Sequence, residues 1–184
     1  MITIIFEAHA TSVDNVARGA SGHHDAPLAE IGEEQARQLG LRHAATPLDA
    51  VFCSDLQRSY RTAELAFAGR NLKTVKDPRL RELDYGDWTR RPADEVFAEG
   101  PRRIHTPFPA GESYAQAADR MRDFLGDLLR DHDGKTVMII GHRATHYGLE
   151  HWIDHVPLER AVTERAPWQP GWTYTITTLT PTGV

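Results

Sequence analysis

Three residues stand just past the ends of apolar runs and share one chemical leaning. His9 follows the β-branched and aromatic run 2–6, Arg58 lies one helical turn beyond the run 50–53, and His142 follows the run 136–140. Two imidazoles and a guanidinium converging on one edge of a sheet make a cationic, hydrogen-bonding cup suited to a phosphoryl group. A carboxylate, Glu82, sits in Leu80-Arg81-Glu82-Leu83-Asp84-Tyr85-Gly86, with Glu112 as a nearby alternative. The set suits phosphoryl chemistry: cations to hold oxygens, and groups able to attack or to move a proton.

The elements that must position these residues follow from periodicity. The runs 2–6, 50–53 and 136–140 read as buried strands, with a further short strand at 74–75. Residues 30–44 carry helix formers, with Ile31, Gln35, Ala36, Leu39 and His43 at helical spacing. Ser54 and Asp55 can cap a helix over 56–66. Ser113 caps a long amphipathic helix over 113–132 whose apolar side is Ala117, Met121, Phe124, Leu125, Leu128 and Leu129. A helix over 144–153 and an alternating edge strand over 173–180 complete the pattern. The loop 9–27 is long, as functional loops often are. Residues 88–112, with Pro92, Pro101, Pro107 and Pro109, form an excursion from the main layers.

Strands alternating with helices predict a three-layer α/β/α sandwich around a mostly parallel sheet. The 184 residues predict one domain. Ligands in such sheets sit beyond the carboxyl ends of strands, which puts the chemistry just after Phe6, Cys53 and Ile140.

Beyond the isolated residues lies an ordered set of motifs. Ala8-His9-Ala10-Thr11-Ser12 follows the first strand, then come Asn15, Gly22, Asp25-Ala26-Pro27-Leu28, Gly32, Gln35 and Ala36. Ser54-Asp55-Leu56-Gln57-Arg58-Ser59-Tyr60-Arg61-Thr62-Ala63 forms a second block, and Arg81-Glu82-Leu83-Asp84-Tyr85-Gly86-Asp87-Trp88 a third. Gly111-Glu112-Ser113 and Ile140-Gly141-His142 follow. In this order and spacing the chain resembles the histidine phosphatase superfamily, the phosphoglycerate mutase-like proteins, over nearly its whole length.

The resemblance implies that His9 attacks phosphorus in line and carries the phosphoryl group as phosphohistidine. It implies that Glu82 protonates the leaving oxygen and then takes a proton from water, while Arg58 and His142 hold the equatorial oxygens. Asn15 adds a hydrogen bond to phosphate, and neither metal nor organic cofactor is required. One departure stands out: the family's arginine before the nucleophilic histidine is Ala8 here. Its loss removes about 2–4 kcal/mol of transition-state stabilisation unless another cation replaces it. Arg143 is the first candidate and Arg18 the second. Ala10 and Thr11 also replace the family's glycine and glutamate.

His23 and His24 fall in the loop over the site, where substrate contact and plain solvation both fit, so His23 stays a substrate-binding candidate. If 88–112 caps the site, Arg90, Arg91, Arg102, Arg103 and His105 can attract an acidic phosphorylated substrate. Trp88, Trp168 and Trp172 line the mouth or fill the core. The activity implied is hydrolysis of a small phosphomonoester. A mutase is the rival within the fold, although mutases usually carry longer cap insertions. A phosphate-binding pseudoenzyme that lost turnover with its arginine is the rival from another class.

Other chemistries find less support. A formal net charge of −5 leaves nothing basic overall to replace counterions on a nucleic-acid backbone. Cys53 is the sole cysteine, so no intrachain disulfide forms, and Ser54-Asp55-Leu56 after it is not the arginine-rich loop of a thiol phosphatase. His142/His146 and His151/His155 have a zinc-ligand spacing, but Arg143 stands where a zinc protease carries glutamate. His146, His151 and His155 therefore read as helical surface histidines. The first apolar run meets Glu7 after six residues, too short to cross a membrane, and a cytoplasmic setting is the expectation. An exposed edge strand over 173–180 offers a route to a homodimer.

Overall fold

The computed structural model describes residues 1–164, 167 and 169–179. Within them, strands β1 (Ile2–Ala8), β2 (Ala50–Cys53), β3 (Lys73–Lys76), β4 (Thr136–Gly141) and β5 (Trp172–Ile176) form one sheet in the order β3-β2-β4-β1-β5. β1, β2, β3 and β4 run parallel, and β5 pairs antiparallel with β1. The fold is α/β around a mostly parallel sheet, as the alternation of strands and helices implies.

Both faces are covered, which is why the central strands read as unbroken apolar runs rather than as alternations. Along β4, Val137 and Ile139 pack with Phe124, Leu125 and Leu128 of α5 (Tyr114–Asp131) and with Leu149 of α6 (Arg143–Ile153). Met138 and Ile140 meet Leu39 of α2 (Glu30–Arg42) and Ala63 of α3 (Gln57–Ala66) on the other face. α5 carries the predicted capping box, Ser113 bonding the Gln116 N–H at 3.2 Å and Gln116 the Ser113 N–H at 2.8 Å. In β5, Tyr174 and Ile176 are buried while Thr173 and Thr175 face solvent. The predicted end of that strand, Thr180, lies outside the described residues.

Several local expectations change. The buried stripe of α2 is Gly32, Ala36 and Leu39, and Ile31 is 59% exposed. Neither Ser54 nor Asp55 is the N-cap of α3; Leu56 holds that position without a side-chain cap. Inside the loop 9–27 a single turn of helix, α1 (Val13–Val16), is closed by a capping box between Ser12 and Asn15. The excursion contains α4 (Ala93–Ala98), and α7 (Leu158–Glu164) follows α6. Leu83, Tyr85, Val96, Ile104, Phe108, Tyr114, Tyr147 and Leu158 form a second apolar cluster there.

Candidate active site

Beyond the carboxyl ends of β1, β2 and β4 lies a cavity of about 320 Å³, at the place the sheet rule demands. His9, Asn15, Arg18, Arg58, Glu82, His142 and Arg143 all line it. Its remaining wall includes Ala8 and an aromatic stack of Phe6, His146 and Trp172, with ring centroids 5.1 Å apart for Phe6–His146 and 4.5 Å for His146–Trp172.

The two central histidines are brought together by backbone pairing. The His9 N–H donates to the Gly141 carbonyl at 3.0 Å, which ties the ends of β1 and β4 and sets the His9 and His142 ring centroids 4.9 Å apart. His9 Nδ1 lies 2.7 Å from the Ala10 carbonyl. A carbonyl only accepts, so Nδ1 carries the proton and Nε2 keeps a free lone pair. Burial and the Arg58 cation lower the His9 pKa to about 3, against a smaller upward pull from that carbonyl. Burial, then Arg58 and His9, push His142 down in the same direction. Both rings are neutral at neutral pH.

Arg58 is only 1% exposed. Its guanidinium donates to the Gly22 carbonyl at 2.8 Å and to the His24 carbonyl at 2.9 Å, and no carboxylate among the described residues is bonded to it. Burial pulls it below the usual guanidinium range, yet an arginine stays charged in proteins. A buried cation satisfied only by dipoles is prepared for an anion. Gly22 must be glycine for this geometry: its φ is +52°, and an added Cβ would sit 3.2 Å from the Leu83 carbonyl oxygen.

Glu82 is held by three backbone donors. Oε1 accepts from Leu83 N at 2.9 Å and Ala144 N at 3.0 Å, and Oε2 from Arg143 N at 3.2 Å, so the carboxylate lies at the N-terminus of α6. Arg120 fixes the segment beneath, donating to the carbonyls of Arg79, Arg81 and Glu82 at 2.6, 2.8 and 3.0 Å. Arg81 forms a bidentate pair with Asp55 at 2.7 and 2.5 Å. The alternative carboxylate, Glu112, is spent on Arg120 at 3.1 and 3.0 Å and does not line the cavity.

Asn15 Oδ1 accepts from Ser12 N and Ser12 Oγ, both at 3.0 Å, which leaves the Asn15 amide N–H groups for the cavity. The exposed Arg143 guanidinium lies 4.9 Å from the centre of the Phe97 ring and bonds Tyr147. The Arg18 guanidinium makes no hydrogen bond or ion pair among the described residues, and its backbone has a φ of 57°.

Other expectations are corrected. His23 is not on the cavity wall: Nε2 donates to the Glu82 carbonyl at 2.9 Å and Nδ1 lies 3.5 Å from Asp84 Oδ2, so it braces the Glu82 segment. His146, read as a surface residue, is 7% exposed and part of the wall; burial, then Arg143, lowers its pKa to about 4. Arg90, Arg102, Arg103 and His105 pair with Asp14, Glu99, Glu99 and Glu159, and Arg91 lies over Trp88. None of the five lines the cavity; the excursion contributes Ala93 and Phe97 instead. Trp172 is at the cavity, Trp88 packs on Phe108, and Trp168 lies outside the described residues. Among the described residues no three His, Cys, Asp or Glu side chains gather as a metal-binding group, and no helix is long and apolar enough to cross a membrane.

Sequence reading missed the hydroxyls behind the site. Ser59 Oγ donates to the Ile140 carbonyl at 2.7 Å and accepts from Ser54 N at 3.0 Å. Thr62 Oγ1 accepts the Ala10 N–H at 3.0 Å, and Thr145 Oγ1 accepts the His142 N–H at 3.1 Å. Small hydroxyl residues inside otherwise apolar helix faces were the available signal.

The strand order and the cup at the strand ends define an α/β protein of the phosphatase–mutase type. The chain belongs to the histidine phosphatase superfamily (branch 1), whose model matches residues 4–168. It is 31% identical over 150 residues to phosphoserine phosphatase 1 of Hydrogenobacter thermophilus, covering 77% of this chain and 71% of that one. It is 35% identical over 150 residues to a probable phosphoglycerate mutase GpmB of Cronobacter sakazakii, covering 77% and 70%. Among solved structures, Bacillus stearothermophilus YhfR superposes with a TM-score of 0.80 at 28% identity, covering 91% of this chain and 86% of that one.

Proposed function

We propose that the protein hydrolyses a small phosphomonoester through a phosphohistidine on His9. The observation that carries this is the state of the His9 ring: its one proton is fixed on Nδ1 by the Ala10 carbonyl, and Nε2 presents a lone pair beside a buried cation. Nε2 attacks phosphorus, the ester P–O bond breaks, and the Glu82 carboxyl gives its proton to the leaving oxygen. Water then attacks phosphorus, the P–N bond breaks, and the Glu82 carboxylate takes the proton. Arg58 and His142 hold the equatorial oxygens, with Asn15 as a further donor. Arg143 supplies the cation that Ala8 lacks, since both residues line the cavity. The residues named need no metal for these steps.

Ala8 favours a second reading, a phosphate-binding protein without turnover. Trapping separates the two. Protein mixed with ³²P-labelled phenyl phosphate and quenched in alkali should carry a base-stable, acid-labile label that His9→Ala removes, in EDTA as in buffer. Undiminished turnover by His9→Ala would sink the mechanism. Vanadate binding with neither label nor turnover would favour the binding reading, and activity lost to EDTA would overturn the metal-free route.

A further inference from the structure

The phosphoryl chemistry uses only part of the cavity. Beside the groups that would meet phosphate and its ester oxygen stands a wall without charge, made by Phe6, Ala8, His146 and Trp172. Whatever alcohol the phosphate is attached to has to share the cavity with that wall.

Strand register builds it. Trp172, the first residue of β5, lies directly opposite Phe6 of β1, so the two side chains share one face of the sheet. Ala8, two residues further on, faces the same way. The β1–β5 ladder ends at the Phe6–Trp172 pair, while Ala8 still pairs with Gly141 of β4. α6 lays the His146 ring on both aromatics, at 5.1 Å from Phe6 and 4.5 Å from Trp172, which are themselves 5.7 Å apart. Burial, then Arg143, keeps His146 uncharged at neutral pH. Its Nε2 is buried without a partner among the described residues, so the ring acts as a flat filler and not as a donor. Phe6 and His146 are buried, whereas Ala8 and Trp172 keep part of their surface. The accessible wall is therefore one methyl group and one indole, backed by two further rings.

Size and polarity then select an occupant. An apolar cavity of about 150 Å³ holds benzene, so about 320 Å³ has room for a ring and a phosphoryl group together. A ring added to this cluster gains the offset or edge contacts that aromatic groups prefer. A carboxylate pressed against the same wall would lose water and gain no partner charge. The two further cations of the cavity, Arg18 and Arg143, are exposed, where solvent weakens their pull on a carboxylate.

We propose that this wall is the leaving-group subsite, and that the substrate is the phosphomonoester of an uncharged alcohol bearing a planar ring, which packs on Trp172. The substrate class rests on the hydrolytic reading above; recognition of the ring is measured on ligands that are not turned over.

Calorimetric titration with phosphonates, whose P–C bond offers no ester oxygen to protonate, reads the subsite by itself. Benzylphosphonate should bind about tenfold more tightly than propylphosphonate, the upper value of one aromatic contact. 3-Phosphonopropionate, which carries a carboxylate, should bind no more tightly than propylphosphonate. Trp172→Leu removes the ring, and Ala8→Leu fills the cavity while leaving the ring in place; each should bring the benzyl-to-propyl ratio near one. A ratio taken within one protein cancels any general loss of phosphonate affinity. Equal binding of the two phosphonates by the wild-type protein, tighter binding of 3-phosphonopropionate, or a benzyl preference that survives either variant overturns the proposal. A benzyl preference without hydrolysis of benzyl phosphate would count against the hydrolytic reading alone. Equal phosphonate binding, with benzyl and ethyl phosphates hydrolysed at one rate, would count against the subsite alone. No phosphonate binding at all would refute both.

Discussion

Replacing Glu82 by glutamine isolates proton transfer from everything else the residue does. The carboxylate accepts three backbone N–H groups, two on Oε1 and one on Oε2. In Glu82→Gln the amide oxygen can keep Leu83 N and Ala144 N, while the amide nitrogen must face Arg143 N, donor against donor. One lost hydrogen bond costs about 1 kcal/mol, so the variant should fold with a slightly lower unfolding midpoint. The chemistry should suffer far more. Removing a general acid typically lowers a rate by about 10²–10⁴, which is about 3–5 kcal/mol of barrier. That loss should appear in full with an alkyl phosphate such as β-glycerophosphate, whose alkoxide cannot depart unprotonated. A p-nitrophenyl ester needs no proton to leave, so His9 should still be phosphorylated and only the water step should slow. Stopped-flow absorbance should then show a burst of about one nitrophenol per enzyme, followed by slow turnover. Equal losses on both substrates with no burst would show that Glu82 is not the acid, and retained alkyl-phosphate activity would show that it carries no proton at all.

Other perturbations follow from the same geometry. Arg143→Ala should lower kcat/KM by about 10²–10³, the value of one transition-state donor, whereas Arg18→Ala should cost only a few-fold; the reverse order would make Arg18 the replacement for the missing arginine. Arg120→Met takes away the side-chain donor of the Arg79 and Arg81 carbonyls, leaves the Glu82 carbonyl to His23 and Glu112 to the Asp84 N–H, and should reduce stability by about 2 kcal/mol and lower kcat because the Glu82 segment loses its clamp. Thermal unfolding and steady-state kinetics on that variant decide, and an unchanged kcat would refute the positioning role. His9, His142 and His146 have pKa values held below the ordinary 6.5, to about 3 for His9 and about 4 for His146. The unfolded chain therefore binds protons below pH 6.5 that the folded chain refuses, so stability is fully present above 6.5 and is lost as pH falls toward 3–4. Each such ring contributes up to about 1.4 kcal/mol per pH unit in that window. Urea midpoints measured from pH 7 to pH 4 should fall steadily, and a flat profile would contradict the buried neutral histidines.

Much of the frame was legible because each signal had one physical cause. The runs before His9 and His142 are unbroken because helices cover both faces of β1 and β4, and the strand-end rule then placed Arg58 and His142 correctly. The long loop 9–27 was marked as functional by length, but its use was not readable: two of its carbonyls hold Arg58, and carbonyls leave no trace in sequence. Side-chain direction was the commonest failure. His146 looked like a surface residue by type, yet the α6 turn that places it over Phe6 buries it. Ser54 looked like a helix cap, because serine before a helix usually is one; here the competing claim of the His142 ring is the shorter contact, 2.7 Å against 3.3 Å. The arginines of 88–112 fitted either plain solvation or, if the segment capped the site, attraction of an acidic substrate; their carboxylate and aromatic partners, away from the cavity wall, favour the first. Glu7 broke an apolar run, yet it is 1% exposed and anchored by Arg42 and His43 at 3.3 and 2.7 Å.

The absence of an arginine at position 8 changes the electrostatic problem that the cavity must solve. Arg58 alone is buried beside two histidines, and its field, together with burial, is what keeps both rings uncharged. A second buried guanidinium next to His9 would deepen that effect and tighten phosphate, but it would also add a cation that the unliganded fold must hold without a carboxylate. On the reading proposed above, in which Arg143 supplies the extra cation, the cost is avoided, because that side chain is exposed and rests on Phe97 and Tyr147 until an anion arrives. A cation drawn from the rim binds an anion less tightly than one fixed beneath it, since it must desolvate and give up side-chain freedom on each encounter. Weaker phosphate retention follows, and it favours release of the product over its return to a second acceptor. The same substitution that lowers affinity therefore points toward hydrolysis rather than toward transfer between hydroxyls.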